Sequence, residues 1–176
     1  SCNTYFANTY KRTIEKYKKP KDGVNVWANH LKSFGLGNFM GYDLPTGRKG
    51  HIPTSKFYDR FYPNGGWRST TIISNSIGQG EVSMTPIQLA NMMATIANRG
   101  YYYTPHIIKQ IKGRKIDTKY TTKHVTTIDR KYFDPIVNGL FDVYNHGTAY
   151  GLGVPGLEIC GKTGTAENFA KINGKR

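Results

Sequence analysis

Cysteine is almost absent: Cys2 and Cys160 are the only two in 176 residues. That excludes a disulfide framework and a cysteine-built zinc site. Acidic residues are also scarce, 11 against 25 lysines and arginines, so the chain carries a formal net charge of +14. No apolar run approaches the roughly twenty residues needed to span a bilayer, and the mean hydropathy is −0.55. No basic-then-apolar leader opens the sequence. The first residues, Ser1-Cys2-Asn3, contain no Met, and we expect the true start to lie elsewhere. His30, His51, His106, His124 and His146 include no pair at metal-binding spacing, so neither a metal nor another cofactor is expected.

An excess of basic charge with 13 tyrosines raises the possibility of a nucleic-acid partner. The cations, however, cluster in Lys11-Arg12, Lys16 to Lys21 and Lys109 to Lys123, segments that read as helix ends and loops rather than one groove. No RNA-binding or helix-turn-helix pattern accompanies them. They are read as solvated charge, with attraction to an anionic membrane surface or wall polymer as a secondary effect. A chain of this length suits one domain or a piece of a larger one.

Periodicity predicts the elements in order. Residues 1–19 begin as a loop and become a helix, with Tyr5, Phe6, Tyr10, Ile14 and Tyr17 at three-to-four spacing. Pro20-Lys21-Asp22-Gly23 reads as a turn and residues 24–34 as a second helix. Residues 38–67, rich in Gly, Pro and aromatics without a clean period, read as a long ordered loop. The best helix follows Met84: Thr85 is the predicted N-cap, Pro86 the first helical residue, and Gln88 the partner in a capping box. Its apolar residues Ile87, Leu89, Ala90, Met93, Ala94 and Ala97 predict burial at the domain centre. Residues 101–104 and 106–111 read as strand interrupted by Pro105, residues 112–127 as a basic hairpin or loop, and residues 129–144 as a helix.

The stretch with most chemical content is Leu157-Glu158-Ile159-Cys160-Gly161-Lys162-Thr163-Gly164-Thr165-Ala166. Alternation of Leu157 and Ile159 predicts a half-buried strand with Lys162 on the opposite face. A cation, hydroxyls and a side-chain-free Gly164 form an anion-docking edge. Two motifs fit these letters. One is the Lys-Thr-Gly signature of serine acyl-transfer enzymes. The other is a phosphate-binding loop, since Gly156, Gly161, Lys162 and Thr163 satisfy its spacing. A phosphate loop needs a strand before Gly156 and a helix opening at Lys162. Val154-Pro155 precedes Gly156 instead, and Gly164 falls where the helix would start, so the Lys-Thr-Gly reading is preferred.

Five ordered blocks then define a resemblance. They are Ser1-Cys2-Asn3-Thr4-Tyr5-Phe6, Ile77-Gly78-Gln79-Gly80 with Met84-Thr85-Pro86-Ile87-Gln88-Leu89-Ala90, Gly100 with Pro105, His146-Gly147-Thr148-Ala149, and Gly161-Lys162-Thr163-Gly164-Thr165-Ala166. Over nearly its whole length the chain resembles the transpeptidase domain of class B penicillin-binding proteins of the elongation type. The resemblance implies an α+β fold, an antiparallel sheet with helices on its faces plus a mostly helical lobe, with the cleft between them. It implies a D,D-transpeptidase that cross-links peptidoglycan stem peptides ending in D-Ala-D-Ala through an acyl-enzyme and is trapped by β-lactams. The implied catalytic residues are Ser1, which relays a proton, Asn3, which holds substrate and the base lysine, and Lys162, which supplies positive potential. Thr163, Gly164 and Thr165 are the implied substrate-binding positions, with Thr163 expected on the far side of the strand and Thr165 at the carboxylate and oxyanion hole. Cys2 and Cys160 would flank the same cleft, and two free thiols are expected. Implied partners are other elongation-machinery proteins, with no nucleic acid. The implied location is the outer side of the cytoplasmic membrane, with an anchoring helix upstream.

One departure stands out. No Ser-x-x-Lys occurs anywhere in the chain, so the acylating serine and its base lysine are missing. Residues 1–176 are therefore expected to be an internal to C-terminal fragment of the domain, inactive alone, lacking that segment upstream and the last strands and helix downstream. Alternatives kept beside this reading are a penicillin-sensing domain of the same fold, a serine β-lactamase and the phosphate-loop nucleotide binder.

Overall fold

The structure is a computed structural model, and it describes residues 3–164. The chain divides into two compact units, Ser1–Phe133 and Asp134–Arg176. In the first unit, helix α1 (Asn3–Glu15) packs on α2 (Pro20–Lys32). Their approach is close because Gly23 has no side chain: a β-carbon there would strike the Ile14 carbonyl oxygen and lie 2.8 Å from its Cα. Glycine inside a helix costs about 1 kcal/mol, and here the contact it permits offsets that. Ile14 and Val24 are wholly buried beside it and join Tyr10, Tyr58, Trp67 and Ile72 in one core cluster. Tyr10 meets Trp27 edge-on at 5.2 Å, an arrangement favoured by the ring quadrupoles. A second cluster gathers Ala28, Leu36 and Ile52 under Leu31, Phe34 and Met84.

The residues expected as a turn before α2 are its first turn. Pro20 occupies an initial helical position, where a missing N–H costs nothing. The expected loop of residues 38–67 likewise contains a helix, α3 (Ser55–Phe61). At seven residues it is too short for its period to register in the sequence. Tertiary contacts supply its stability: Tyr58 is buried, and Asn25 bonds both the backbone and side chain of Ser55.

Helix α4 (Pro86–Ala97) begins as expected, with Thr85 accepting from the Gln88 N–H and the Gln88 side chain accepting from the Thr85 N–H at 3.0 Å. Its buried face is not the expected apolar one. The residues turned inward are Gln88, Asn91 and Thr95, while Leu89 is 41% exposed. Hydrogen bonding explains the inversion: the Gln88 amide nitrogen reaches the carbonyls of Gly35, Asn38 and Lys49 at 3.3, 2.9 and 3.0 Å. Asn91 donates to the Phe34 carbonyl. This polar stripe supplies donors to loop carbonyls packed against the helix.

After α4, β1 (Tyr101–Tyr103) pairs antiparallel with β2 (Lys123–Val125). The strand expected over residues 106–111 does not form. The N–H groups of Ile107 and Ile108 are taken by the Asp43 carboxylate at 2.7 to 3.1 Å, so they have nothing to offer a neighbouring strand. These donors, chiefly that of Ile108, hold the Asp43 carboxyl below the usual carboxylate range. Ile111 and Arg114 close a tight turn in the expected basic hairpin. The predicted last helix resolves into a 3-10 turn, Arg130–Tyr132, capped by Asp129, and then α5 (Phe133–Asn145).

Candidate functional site

Asn3 is the first residue of α1 and is exposed, as are its neighbours Tyr5 and Phe6. The helix is fixed by its other half, where Tyr10 and Ile14 enter the core and Glu15 accepts a 2.6 Å hydrogen bond from the Ser69 hydroxyl. Seven residues separate Asn3 from Tyr10, about 10 Å along the axis at the α-helical rise. Asn3 thus rides on a projecting end whose aim is set further down. Ser1, the other predicted member of this corner, lies outside the described residues.

The second unit carries the lysine corner. At the end of α5 the chain doubles back: His146 N–H donates to Asp142 O, and Ala149 N–H, from a buried residue, donates to Val143 O. Gly147 lies against the Val143 backbone, where a β-carbon would come within 2.8 Å of Val143 Cα. The His-Gly-Thr-Ala block is thus the device that reverses the chain. It presents Thr148, whose hydroxyl is 3.1 Å from that of Thr163. Gly161 N–H is anchored to Leu140 O at 3.0 Å. The Lys162 ammonium donates to Thr163 O at 2.8 Å and to Thr163 Oγ1 at 3.2 Å. No carboxylate pairs with Lys162 among the described residues. Around Gly164, among the described residues, no atom lies within 4 Å of where a side chain would begin.

Residues 157–164 are not the expected strand. Their backbone is irregular, Leu157 is 66% exposed, and no strand lies beside them among the described residues. A strand exists only when a partner takes its N–H and C=O groups. With no sheet there is no far face for Thr163, and its hydroxyl lies 3.2 Å from the Lys162 ammonium. The Lys162 ammonium meets the Thr163 hydroxyl, which in turn meets that of Thr148, with exposed backbone next to them. That set suits a carboxylate, since an ammonium is a compact charge with three donors. Thr165 lies outside the described residues. Asn3 belongs to the first unit and Lys162 to the second.

The phosphate-loop geometry is absent through Gly164: no strand precedes Gly156, and no helix opens at Lys162-Thr163. Cys160 is exposed and has no disulfide partner among the described residues, and Cys2 lies outside them. The histidines are structural in part. His30 Nδ1 lies 2.6 Å from Thr127 Oγ1, and His124 stacks on Tyr102. No group of three metal-ligating side chains assembles among the described residues, and no helix among them is long and apolar enough to cross a membrane. Sequence reasoning missed Thr148 as a contact of the lysine corner. Its signal was the glycine before it, which marks a chain reversal aimed back at α5.

The chain matches the model of the penicillin binding protein transpeptidase domain over residues 1–176, and it belongs to that family. It is 32% identical to the peptidoglycan D,D-transpeptidase MrdA of Acinetobacter baumannii, covering all of this chain and 25% of that protein. It is 28% identical to MrdA of Escherichia coli K12 over 84% of this chain and 24% of the relative. Among solved structures it superimposes on a chain of a peptidoglycan synthase complex with a TM-score of 0.74 and 30% identity, covering 95% of this chain and 26% of the other. For Pseudomonas aeruginosa PBP2 the TM-score is 0.66 at 26% identity, with 84% and 31% covered. The fold is the α+β fold of penicillin-binding transpeptidase domains, and the chain spans about a quarter of the length of the curated relatives it matches.

Proposed function

We propose that this chain is an internal to C-terminal piece of a serine-type, penicillin-sensitive D,D-transpeptidase that cross-links peptidoglycan stem peptides. The observation that carries this reading is the family match over residues 1–176, which includes both Ser1-Cys2-Asn3 and Lys162-Thr163-Gly164. The activity named for the MrdA relatives supplies the reaction. In it, a serine hydroxyl attacks the carbonyl of the terminal D-Ala-D-Ala amide. The C–N bond breaks, D-Ala leaves with a proton, and an amine later takes the acyl group.

Each residue then has a task. Asn3 donates its side-chain amide to the peptide and helps hold the base lysine. Ser1 passes the proton to the leaving nitrogen. Lys162, with the hydroxyls of Thr163 and Thr148 beside it, draws in the terminal carboxylate, and Thr165 adds a hydroxyl and an N–H at the oxyanion position. Gly164 leaves room for the substrate to lie along the backbone. A Ser-x-x-Lys segment that this chain does not contain supplies the nucleophile and base. By analogy with relatives, including a Helicobacter pylori PBP2 solved as a complex with MreC, the whole protein works with elongation-machinery partners outside the cytoplasmic membrane.

The test is covalent labelling by a fluorescent penicillin. The full-length gene product becomes labelled, and Lys162→Ala slows labelling about a hundredfold. The 176-residue chain alone stays unlabelled. A full-length product that resists labelling overturns the activity, and a labelled 176-residue chain overturns the missing nucleophile.

A further inference from the structure

The block Ile77-Gly78-Gln79-Gly80 has no part in the site just described, yet the structure gives it a use. Residues 73–77 form a 3-10 turn that ends at Gly78, whose φ of 72° is left-handed. Gly80, with φ of 69°, turns the chain again over Ser74 and Asn75: a β-carbon there would lie 3.1 Å from Ser74 Cβ and 3.4 Å from Asn75 Oδ1. Two left-handed glycines in three residues therefore fold the segment around Asn75 and deliver Glu81 to its far side.

Asn75 is 4% exposed. Its amide nitrogen has two hydrogens and uses both, one toward Tyr58 Oη at 2.7 Å and one toward Tyr10 Oη at 3.3 Å. Tyr58 in turn donates to Glu81 Oε2 at 2.9 Å. The result is a chain of hydrogen bonds, buried from Tyr10 through Asn75 to Tyr58 and reaching the surface at Glu81, that joins α1, the 3-10 turn, α3 and the glycine segment. Burial pushes the Tyr10 phenol up to about 12 and raises Tyr58 as well, so both hydroxyls keep their protons at neutral pH. Tyr10 is the first buried residue of α1, and everything before it, down to Asn3, lacks comparable support.

We infer that Asn75, held by Gly78 and Gly80, is a positioning residue that aims Asn3 through the Tyr10 hydroxyl. The inference rests on the proposed role of Asn3. The lever is long enough to matter: tilting α1 by about 6° at Tyr10 moves Asn3 by about 1 Å, given the roughly 10 Å between them. A shift of that size at an acyl-transfer site is worth up to about a hundredfold in rate.

The experiment follows acylation of the full-length gene product by a fluorescent penicillin across drug concentrations, well below its melting temperature. This separates the limiting acylation rate from the dissociation constant of the complex that precedes it. Asn75→Ala is expected to lower the limiting rate about tenfold and Tyr10→Phe about threefold, with the dissociation constant held within about twofold. Tyr10→Phe keeps the ring against Trp27 and loses only the hydroxyl, so it carries the test if Asn75→Ala does not fold. Wild-type limiting rates in the folded variants overturn the inference, as does a change confined to the dissociation constant. An unlabelled wild-type protein is a different failure, because it removes the proposed activity and this inference with it.

Discussion

The two regions that carry the candidate residues are held in place by different means. Asn3 begins a helix whose far half is pinned by buried rings, a close glycine crossing and a buried amide. Lys162 lies in irregular, exposed backbone held by one anchoring hydrogen bond to α5 and by a threonine pair. The Asn3 amide therefore takes its aim from a helix anchored in the core, and the Lys162 ammonium from a local support. A corner of the first kind is sensitive to substitutions deep in the core, and a corner of the second kind to its immediate neighbours.

The sharpest way to strain this contrast is at the helix crossing. Gly23→Val forces α1 and α2 apart and is expected to cost about 3 kcal/mol or more in chemical unfolding. A loss below about 1 kcal/mol would mean that α1 is not seated as described. Next comes the polar underside of α4. Gln88→Leu strands the carbonyls of Gly35, Asn38 and Lys49, and a loss of about 2 kcal/mol is expected by the same measurement.

Alkaline titration probes the hydroxyl chain. Tyr10 and Tyr58 have raised values in the folded protein, so their contribution is complete below the ordinary tyrosine value near 10 and fades as pH rises from there through the folded values. The melting temperature should fall over that range, and fall less in Tyr58→Phe. The smallest effect belongs to the second region. Leu157→Ala, at a residue 66% exposed, should change stability by no more than about 0.5 kcal/mol. A cost of about 2 kcal/mol would instead reveal the half-buried strand that its alternation promised.

That outcome bears on what the amino-acid sequence makes legible. The start of α4 was readable because a cap is local chemistry: Thr85, Pro86 and Gln88 need only each other. The inward face of α4 was not, because Gln88 and Asn91 are held there by loop carbonyls some 39 to 57 residues away in the chain, with Thr95 bonded back to Asn91 O beside them. Residues 106–111 have a strand-like pattern, but Asp43 took their donors. Residues 157–164 have one too, but pairing is a property of two segments, and no partner strand lies among the described residues. Asn3 and Lys162 stood out only as parts of ordered blocks, since a lone asparagine or lysine has no distinguishing pattern. Thr148 and Asn75 were hidden behind glycines whose purpose becomes clear only when the chain is seen to turn.

Asp43 has one more consequence. By occupying the amides of Ile107 and Ile108, it acts as a stopper on a segment whose side chains, 74% and 48% exposed, would otherwise suit growth by a second molecule's backbone. The two amides in turn hold its carboxyl below the usual carboxylate range, so the stopper is charged and in place at neutral pH. One carboxylate thus closes a backbone edge whose first amide lies 64 residues further along the chain.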